Sequence, residues 1–480
     1  MEGRADARFS GFKNQAMKKL LYTLLLLLPA ALSAREFSPR EVLTLDLGTP
    51  VKQCRLTPLE LGSGERGFVT VFSAEKGIDP YERNFTFPKD TPKIAVFDAA
   101  GRELWRRELP HTIPGVWFMP LLPMDMDGDG CDEIYYVANT CERPFDYDGY
   151  RLERADARTG RVTGSWQWPA PAHNQANSYK WRFLLIGGRA DDGSPVLVTV
   201  QGTYKEIQMQ GWNGDMSRRW KVKIPDDGRG ARGSHSTPIF DLRRDGREQF
   251  MYGERCFSFD TGEQLFILDG DAWNEHSDLV QPWWDAESGR WCFFTTREKG
   301  DDGKLPRAVM FDQTGRRLWE IAERKGHYHH GWVGNFGPRG ERIAMAGRYP
   351  FKGEDVPAKG CVGKTYDART GEERQIDFPI KGTVVDFNGD GIHELYTNGA
   401  LYDRTGRVVL KTGKGILVAA KKVLPLAGEQ IVVAHPDGRI VFWADRNARE
   451  NPARFDTDVY RDNVRLSSAG YGHRYPVLNF

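Results

Sequence analysis

The sequence predicts an all-β fold, a β-propeller of about eight four-stranded antiparallel blades, with seven blades as the alternative count. Three observations predict it: a hairpin motif that recurs along the chain, two acidic loops with calcium-site spacing, and the absence of a sustained helical apolar period. The hairpins stand roughly 35 to 55 residues apart, which is the length of one blade. We therefore expect residues 35–480 to form one propeller domain.

The recurring hairpin carries an Asp followed by a Gly, which supply the turn and the positive φ that a short β-hairpin needs. Its copies begin at Phe97, Ala155, Phe259, Phe311, Tyr366 and Tyr402. Laid end to end, the repeats predict blades near residues 60–109, 117–168, 180–224, 234–268, 277–322, 330–377, 380–410 and 415–445. The tail, 446–480, lacks the repeat, and we expect it to pack across the ring closure or the central channel.

Two loops, D-M-D-G-D-G-C-D-E and D-F-N-G-D-G-I-H-E, place oxygen side chains at positions 1, 3, 5 and 9. Together with the backbone carbonyl at position 7, these are ligands that Ca²⁺ prefers. The sequence therefore predicts Ca²⁺ as a structural cofactor in both loops. The predicted ligands are Asp125, Asp127, Asp129, Cys131 and Glu133 in the first loop, and Asp386, Asn388, Asp390, Ile392 and Glu394 in the second.

A third loop, Asp241–Gln249, keeps Asp at positions 1 and 5 but has Arg243 at position 3. A guanidinium cannot ligate a cation, so we expect Arg243 to pair with these carboxylates and the loop to hold no metal.

The charge balance excludes strong attraction to nucleic acid or to an anionic membrane, because 67 Lys and Arg face 66 Asp and Glu. We expect a monomer. We expect that synthesis starts at Met17, not at Met1, and that a signal peptide runs from there to Ala34. The pattern is a basic pair, the apolar run Leu20–Leu28 and then small residues that end at Ala34. That run is too short to span a membrane. The predicted location is therefore periplasmic or extracellular.

The six cysteines show no zinc-site spacing, and Cys131 and Cys141 are a candidate pair across a hairpin. No serine-hydrolase elbow, nucleotide-binding glycine loop or H-E-x-x-H motif occurs. These absences leave nucleophilic serine, nucleotide-dependent and zincin chemistry without support.

Histidines stand where three consecutive predicted blades begin, which brings His235, His276 and His330 toward one mouth of the central channel. Each also has a local alternative as a loop cap. Arg255 and Arg348 follow inner strands and are candidates for binding a carboxylate, and Tyr252 is a candidate proton donor. These six residues are the predicted catalytic set.

The segment G-S-H-S-T-P-I-F-D-L-R-R-D-G-R-E-Q-F-M-Y-G, followed by F-D-T-G-E-Q-L and H-S-D, resembles the rhamnogalacturonan lyases of polysaccharide lyase family 11. The resemblance is best over Gly233 to Asp278, and the calcium-loop style agrees with it. The sequence differs from the family's pattern in two ways. It has no room for the β-sandwich domain that usually precedes the propeller in that family. Its tail reads S-A-G-Y-G-H-R-Y-P-V where the family has an N-x-P-P-H stretch.

The resemblance implies β-elimination at a 4-linked uronic acid in an acidic polysaccharide. The substrate carboxylate must be neutralised, by Ca²⁺ or by Arg255 and Arg348, before a base removes the C5 proton. Histidine suits the base, and Tyr or a second His suits the acid. Two other classes stay open: a calcium-stiffened propeller that binds glycan or protein without catalysis, and a quinoprotein-like or outer-membrane-assembly propeller.

Overall fold

The computed structural model describes residues 36–75, 89–113, 115–143, 146–171, 180–298, 303–337, 341–351 and 361–466. The predicted signal segment, residues 1–34, and the end of the tail after Leu466 lie outside the described residues. Within the described residues from Pro39 onward, the strands form eight four-stranded antiparallel sheets, so the predicted propeller and its eight-blade count are confirmed. No helix among these residues is long and apolar enough to cross a lipid bilayer.

The strands of the first half of the chain are β1 Pro39–Asp46, β2 Gln53–Gly62, β3 Glu65–Ser73, β4 Lys93–Asp98, β5 Glu103–Glu108, β6 Leu121–Met124, β7 Glu133–Asn139, β8 Tyr150–Asp156, β9 Val162–Gln167, β10 Phe183–Arg189, β11 Pro195–Gln201, β12 Ile207–Trp212, β13 Arg218–Ile224, β14 Ile239–Phe240, β15 Gln249–Tyr252, β16 Arg255–Ser258 and β17 Gln264–Ile267.

The remaining elements are β18 Ser277–Asp285, β19 Arg290–Arg297, β20 Ala308–Asp312, β21 Arg317–Glu320, β22 His330–Asn335, β23 Arg342–Arg348, β24 Val362–Asp367, β25 Glu373–Arg374, β26 Thr383–Val385, β27 Glu394–Thr397, β28 Ala400–Tyr402, β29 Val408–Lys411, β30 Ile416–Lys421, β31 Gln430–Ala434, β32 Arg439–Asp445, and the helices α1 Pro452–Phe455 and α2 Asp458–Arg465.

Seven blades each use four consecutive strands, from β2–β5 to β26–β29. The eighth is completed by the N-terminal strand, because β1 pairs antiparallel with β32, with Pro39 opposite Asp445 and Asp46 opposite Arg439. This pairing closes the ring and covers an edge that would otherwise stay open. The predicted first blade begins at residue 60, so the prediction did not include this closing strand.

A tryptophan contact recurs between neighbouring blades and gives a second reason for the glycine of the hairpin motif. The indole of Trp105 donates to the carbonyl of Ala157, and that of Trp319 donates to Ala368, at 2.7 and 2.9 Å. Each ring lies against the motif glycine of the next blade: a Cβ on Gly160 or Gly371 would sit 2.7 Å from it. The glycine is thus required by the neighbouring blade as well as by its positive φ.

The residue directly before the second strand of a blade links that blade to the preceding one. In four blades it accepts a backbone N–H from that neighbour, which ties adjacent blades at one end of the inner strands. The pairs are Asp132 with Glu60, Glu248 with Arg189, His393 with Asn335, and Glu429 with Asp386, at 2.7 to 2.9 Å.

Helix α2 packs at the same end of the propeller and contacts the inner strands β2, β6, β10 and β14. The amide of Asn463 both accepts from the N–H and donates to the carbonyl of Ile239, at 3.0 and 2.8 Å. It thereby satisfies the free edge of β14. The hydroxyl of Tyr460 donates to Glu429 at 2.7 Å, so the helix also engages the interblade links.

All six cysteines are free thiols, so the candidate Cys131–Cys141 pairing is wrong for this structure. Cys131 lies instead against blade 1, in an isolated bridge with Leu61.

Candidate functional site

The first acidic loop brings three carboxylates together. Ligand oxygens of Asp125, Asp127 and Asp129 lie within 4.8 Å of one another. The side chain of Glu133 closes the loop by accepting from the N–H of Met126 at 3.1 Å. Burial and the nearby carboxylate of Asp127 raise the pKa of Glu133 to about 7, a repulsion that a bound cation would relieve. These donors, all oxygens, fit a calcium ion.

The second loop has the same backbone hydrogen bonds but an additional cation. Glu394 accepts from the N–H of Phe387 at 2.9 Å, as Glu133 does in the first loop. Burial and nearby carboxylates raise the pKa of Asp386 to about 7. The guanidinium of Arg454 lies 2.8 Å from Oδ2 of Asp386, so one side of this carboxylate is already neutralised from α1. Its other oxygen, Oδ1, is buried and makes no hydrogen bond within the described residues, which leaves it available to a cation.

The third loop keeps the hydrogen-bonded turn without the acidic side chain at position 3. Asp241 accepts from Gly246 at 2.7 Å, and Gln249 replaces the glutamate by accepting from Leu242 at 2.7 Å. The prediction that Arg243 pairs with the loop carboxylates is wrong, because Arg243 is exposed and the arginine 4.0 Å from Asp245 is Arg247. The turn is therefore specified by its own hydrogen bonds.

At the opposite end of the inner strands, three consecutive blades bring histidines and carboxylates into one cluster. His235 precedes β14, His276 precedes β18, and His329 precedes β22. The loop before β14 runs parallel to the start of β18 through a bridge between Ser234 and Ser277, which places the rings of His235 and His276 5.4 Å apart. We call His235, His276, Asp278, Glu298, His327 and His329 the histidine cluster.

Asp278 is the centre of this cluster. It is an extra residue in β18, at a register shift relative to β19, and such bulges redirect side chains near functional sites. Its Oδ1 lies 3.2 Å from Nε2 of His276 and 3.7 Å from Nε2 of His235. Its Oδ2 lies 2.5 Å from Nδ1 of His329. One buried carboxylate therefore contacts imidazoles from three blades.

Glu298, just after β19, supplies the second carboxylate. Its Oε2 is in close contact with Nε2 of His276, and its Oε1 lies 3.3 Å from Nδ1 of His327. The donor atoms of His235, His276 and Asp278, and separately those of Glu298, His327 and His329, lie within 4.8 Å of one another. Either group has the residue types and spacing of a metal site.

The electrostatics of the cluster differ between its two buried imidazoles. Burial lowers the pKa of His235 to about 4, so this ring is neutral at pH 7. Burial also acts to lower the pKa of His276, but the carboxylates of Glu298 and Asp278 raise it to about 9. Burial acts to raise the pKa of Asp278, but His235, His276 and His329 hold it well below its usual range. The carboxylate of Asp278 thus stays ionised and available to a cation.

A buried ion pair lies behind the cluster. Side chains alternate across a strand, so Ser277 and Arg297 face away from His276 and Glu298. The guanidinium of Arg297 donates two hydrogen bonds, of 2.8 and 2.6 Å, to the carboxylate of Glu254 in the preceding blade. Ser277 donates to the same carboxylate at 2.7 Å. This network fixes the strand ends that carry the cluster.

The predicted catalytic residues fall into three groups. His235 and His276 meet as predicted, but the third histidine at Asp278 is His329, whose Nδ1 makes a hydrogen bond with this carboxylate. His330 is the first residue of β22, and its ring lies 5.6 Å from that of Tyr349. Adjacent residues of an extended chain face opposite sides, which explains the offset of one residue.

Tyr252 and Arg255 support the His235 segment rather than lining the cluster. The Tyr252 side chain is fully buried, and its hydroxyl contacts the Gly202 carbonyl and, at 3.0 Å, Thr203 Oγ1. A buried phenol with these partners is poorly placed to protonate a substrate. Arg255 donates from Nε to the carbonyl of Ala231 at 2.7 Å and lines a separate cavity of about 470 Å³.

Arg348 lies beside the cluster but is largely buried. Its Nη1 donates to the carbonyl of Tyr349 at 3.0 Å, and its guanidinium lies 4.0 Å from the ring centroid of Phe351. It therefore holds the exposed segment after β23 in place.

Asp278, Glu298 and His329 belong to the cluster but not to the predicted catalytic set. The i, i+2 spacing of His276 with Asp278, and of His327 with His329, was an available signal, since such pairs share one face of an extended chain. Glu298 had no signal, because it reaches the cluster through strand pairing alone. Tyr204 was also missed: its ring packs edge-on against His276, with centroids 4.1 Å apart.

Comparison with known proteins places this arrangement in context. No protein-family model matches the chain. It is 23% identical over 308 residues to the rhamnogalacturonan endolyase YesW of Bacillus subtilis, covering 56% of this chain and 46% of that protein. It is 24% identical over 204 residues to the exolyase YesX of Bacillus subtilis, covering 35% and 32%. The chain therefore spans less than half the length of either relative.

Solved structures agree more extensively. The Bacillus licheniformis rhamnogalacturonan lyase of polysaccharide lyase family 11 superposes with a TM-score of 0.74 at 18% identity, covering 91% of this chain and 81% of that one. The exotype rhamnogalacturonan lyase YesX gives 0.72 at 18% identity, covering 90% and 81%. The fold is that of these rhamnogalacturonan lyases. The resemblance predicted from the sequence is confirmed.

Proposed function

We propose that this protein is a polysaccharide lyase that cleaves a uronate-containing glycan of the rhamnogalacturonan type by β-elimination. The observation that carries the proposal is the convergence of His235, His276 and His329 on Asp278 at one end of the inner strands. The shared fold and the names of the relatives support this activity over the other propeller classes.

We propose further that His235, His276 and Asp278 hold a divalent cation, with Glu298 beside it. Nε2 of His276 and Oδ1 of Asp278 are buried and make no well-formed hydrogen bond within the described residues. When bound, such a cation neutralises the substrate carboxylate and so acidifies the neighbouring C5 proton. The acidic loops offer only oxygen donors, which suit Ca²⁺, so we propose Ca²⁺ there. The cluster offers imidazole donors, which suit transition metals, so the cation proposed there is divalent but need not be Ca²⁺.

His327 is the proposed base. Its side chain is 47% exposed, whereas His276 is 2% exposed, and its Nδ1 lies 3.3 Å from Glu298. When Nδ1–H donates to that carboxylate in the neutral imidazole, Nε2 is unprotonated and its lone pair can accept a proton. The Glu298 carboxylate thereby selects the tautomer that accepts the C5 proton.

Export and oligomeric state belong to the same proposal. An enzyme acting on a large polysaccharide works outside the cytoplasm, which agrees with the signal pattern from Met17 to Ala34. We propose an exported monomer whose mature chain begins near Arg35. Mass spectrometry of the exported protein and size-exclusion chromatography test these two points.

The test of the activity is incubation with rhamnogalacturonan and other acidic polysaccharides while the absorbance of the unsaturated product is recorded. The proposal expects product with at least one polysaccharide and none from His276→Ala or Asp278→Asn. The matched control is His435→Ala, in a hairpin of the eighth blade, which should retain activity. Binding of every polysaccharide without any absorbance change would support the non-catalytic propeller instead.

A further inference from the structure

Two exposed aromatic side chains lie beside the histidine cluster. Tyr349 and Phe351 are 53% and 48% exposed, and they are the only exposed Phe, Tyr or Trp side chains in the part of the chain that the structure describes. Exposed aromatic side chains close to one another commonly mark a binding surface. We call Tyr349 and Phe351 the aromatic strip.

The strip is continuous with the cluster. The ring of Tyr349 lies 4.7 Å from that of His329, whose Nδ1 is bonded to Asp278. The strip is also held in place from below, because the guanidinium of Arg348 packs 4.0 Å from the ring centroid of Phe351. A ligand bound at His329 on this side would therefore lie beside the ring of Tyr349.

A lysine of the next blade completes the surface. Nζ of Lys381, which precedes β26, lies 5.8 Å from the ring centroid of Tyr349. Lys381 forms no salt bridge with any carboxylate that the structure describes, whereas Asp278 and Glu298 are surrounded by histidines. The surface thus places a lysine ammonium beside the ring of Tyr349.

We propose that Tyr349, Phe351 and Lys381 form a sugar subsite in which a neutral pyranose ring stacks on the aromatic strip and a uronate carboxylate binds Lys381. Apolar C–H faces of sugars pack on aromatic rings, and a lysine ammonium forms a charge-assisted bond with a carboxylate. A glycan that alternates neutral and acidic sugars can place a neutral ring on the aromatic strip and a carboxylate at Lys381. A polymer of uronates alone would instead place a charged sugar against the aromatic strip. This inference rests on the proposed lyase function.

The experiment measures Kd by calorimetry for an oligosaccharide of alternating rhamnose and galacturonate, and for an all-galacturonate oligosaccharide of equal length. Tyr349→Ala should weaken binding of the alternating ligand about tenfold, the upper range for one aromatic contact. Tyr349→Phe should bind within about twofold of the native protein, since the ring is kept. Lys381→Ala should weaken binding in low salt, and Lys381→Arg should restore it.

Matched controls are Leu265→Ala, which removes an exposed apolar side chain from a distant outer strand, and Lys411→Ala, which removes an exposed lysine from the same blade as Lys381. Both should bind normally. Unchanged affinity in Tyr349→Ala, or equal affinity for the two oligosaccharides, would overturn the subsite. Loss of turnover in Tyr349→Phe with unchanged affinity would also overturn it, by showing that the phenol acts as a proton donor.

The two proposals fail separately. If no polysaccharide is cleaved but Tyr349→Ala still loses affinity for the alternating oligosaccharide, the lyase function is wrong and the subsite stands. If cleavage occurs and KM is the same in Tyr349→Ala as in the native protein, the function stands and the subsite is wrong.

Discussion

The guanidinium of Arg297 forks the carboxylate of Glu254 across the boundary between two blades, and neither side chain is exposed to solvent. Arg297 is adjacent to Glu298, and Ser277, which donates to the same Glu254, is adjacent to both His276 and Asp278. The position of the cluster therefore depends on a salt bridge that faces away from it.

Arg297→Gln should lower the free energy of unfolding by about 3–5 kcal/mol, because it leaves the buried Glu254 carboxylate without its cationic partner. It should also weaken cation binding by the cluster about 10–100-fold, as expected when a supporting contact of a metal site is lost. Urea denaturation and metal titration measure the two effects. The control is Arg316→Gln, whose side chain is 70% exposed and whose salt bridge contributes about 0–1 kcal/mol. Equal effects in both variants would refute the supporting role.

Asp127→Arg should remove one calcium site without unfolding the first acidic loop. The third loop shows why, since it keeps the hydrogen-bonded turn with Arg243 at the same position. Titration calorimetry should give one fewer bound Ca²⁺ than in the native protein, and the melting temperature should rise less on calcium addition. Arg243→Ala is the control and should leave the number unchanged. An unaltered number in Asp127→Arg would show that this loop holds no calcium.

Gly160→Ala should destabilise the protein more than Gly289→Ala. Both glycines have similar positive φ values, 68° and 63°, so the backbone strain of about 1–2 kcal/mol is shared. A Cβ on Gly160 would lie 2.7 Å from the ring of Trp105, whereas one on Gly289 meets nothing within 4 Å. Gly160→Ala should therefore cost about 1–3 kcal/mol more, the range for overpacking. Equal melting temperatures for the two variants would contradict the interblade contact.

Stability should depend on pH through Glu248. Burial and the neighbouring carboxylate of Asp462 raise its pKa to about 9, despite Arg189 nearby. Its contribution to folding is therefore fully present below its unfolded pKa of about 4.3 and is lost as pH rises through about 9. Glu248→Gln should gain stability relative to the native protein between pH 5 and pH 8, measured by melting temperature. The exposed Glu263→Gln should show no such change; a constant difference for Glu248→Gln would refute the prediction.

The blades were readable from the sequence because each repeat carries its own turn residues. The Asp and Gly of each copy mark a hairpin through local geometry alone, and the spacing of the six copies predicted about eight blades, with seven as the alternative. The closing strand was not readable in this way, since Pro39–Asp46 has no motif and its partner lies at the other end of the chain. Ring closure is a long-range pairing that no local pattern encodes.

The site was half readable for a related physical reason. His235 and His276 stand at equivalent places in consecutive repeats, and equivalent places in neighbouring blades lie side by side around the central channel. The choice of His329 over His330 depends on which side of an extended segment faces Asp278. Tyr252 and Arg255 were misassigned because a place near the end of a predicted inner strand does not determine where a side chain points. Both make contacts that hold the His235 segment.

The central claim is elimination, and the most direct measurement is mass spectrometry of the products of rhamnogalacturonan cleavage in water enriched in heavy oxygen. Elimination breaks the glycosidic bond without adding water, so the account predicts product pairs in which one fragment ends in a 4,5-unsaturated uronate and neither gains heavy oxygen in the cleavage step. Fragments that carry heavy oxygen at the new reducing end, with a saturated uronate, would show hydrolysis and contradict the account.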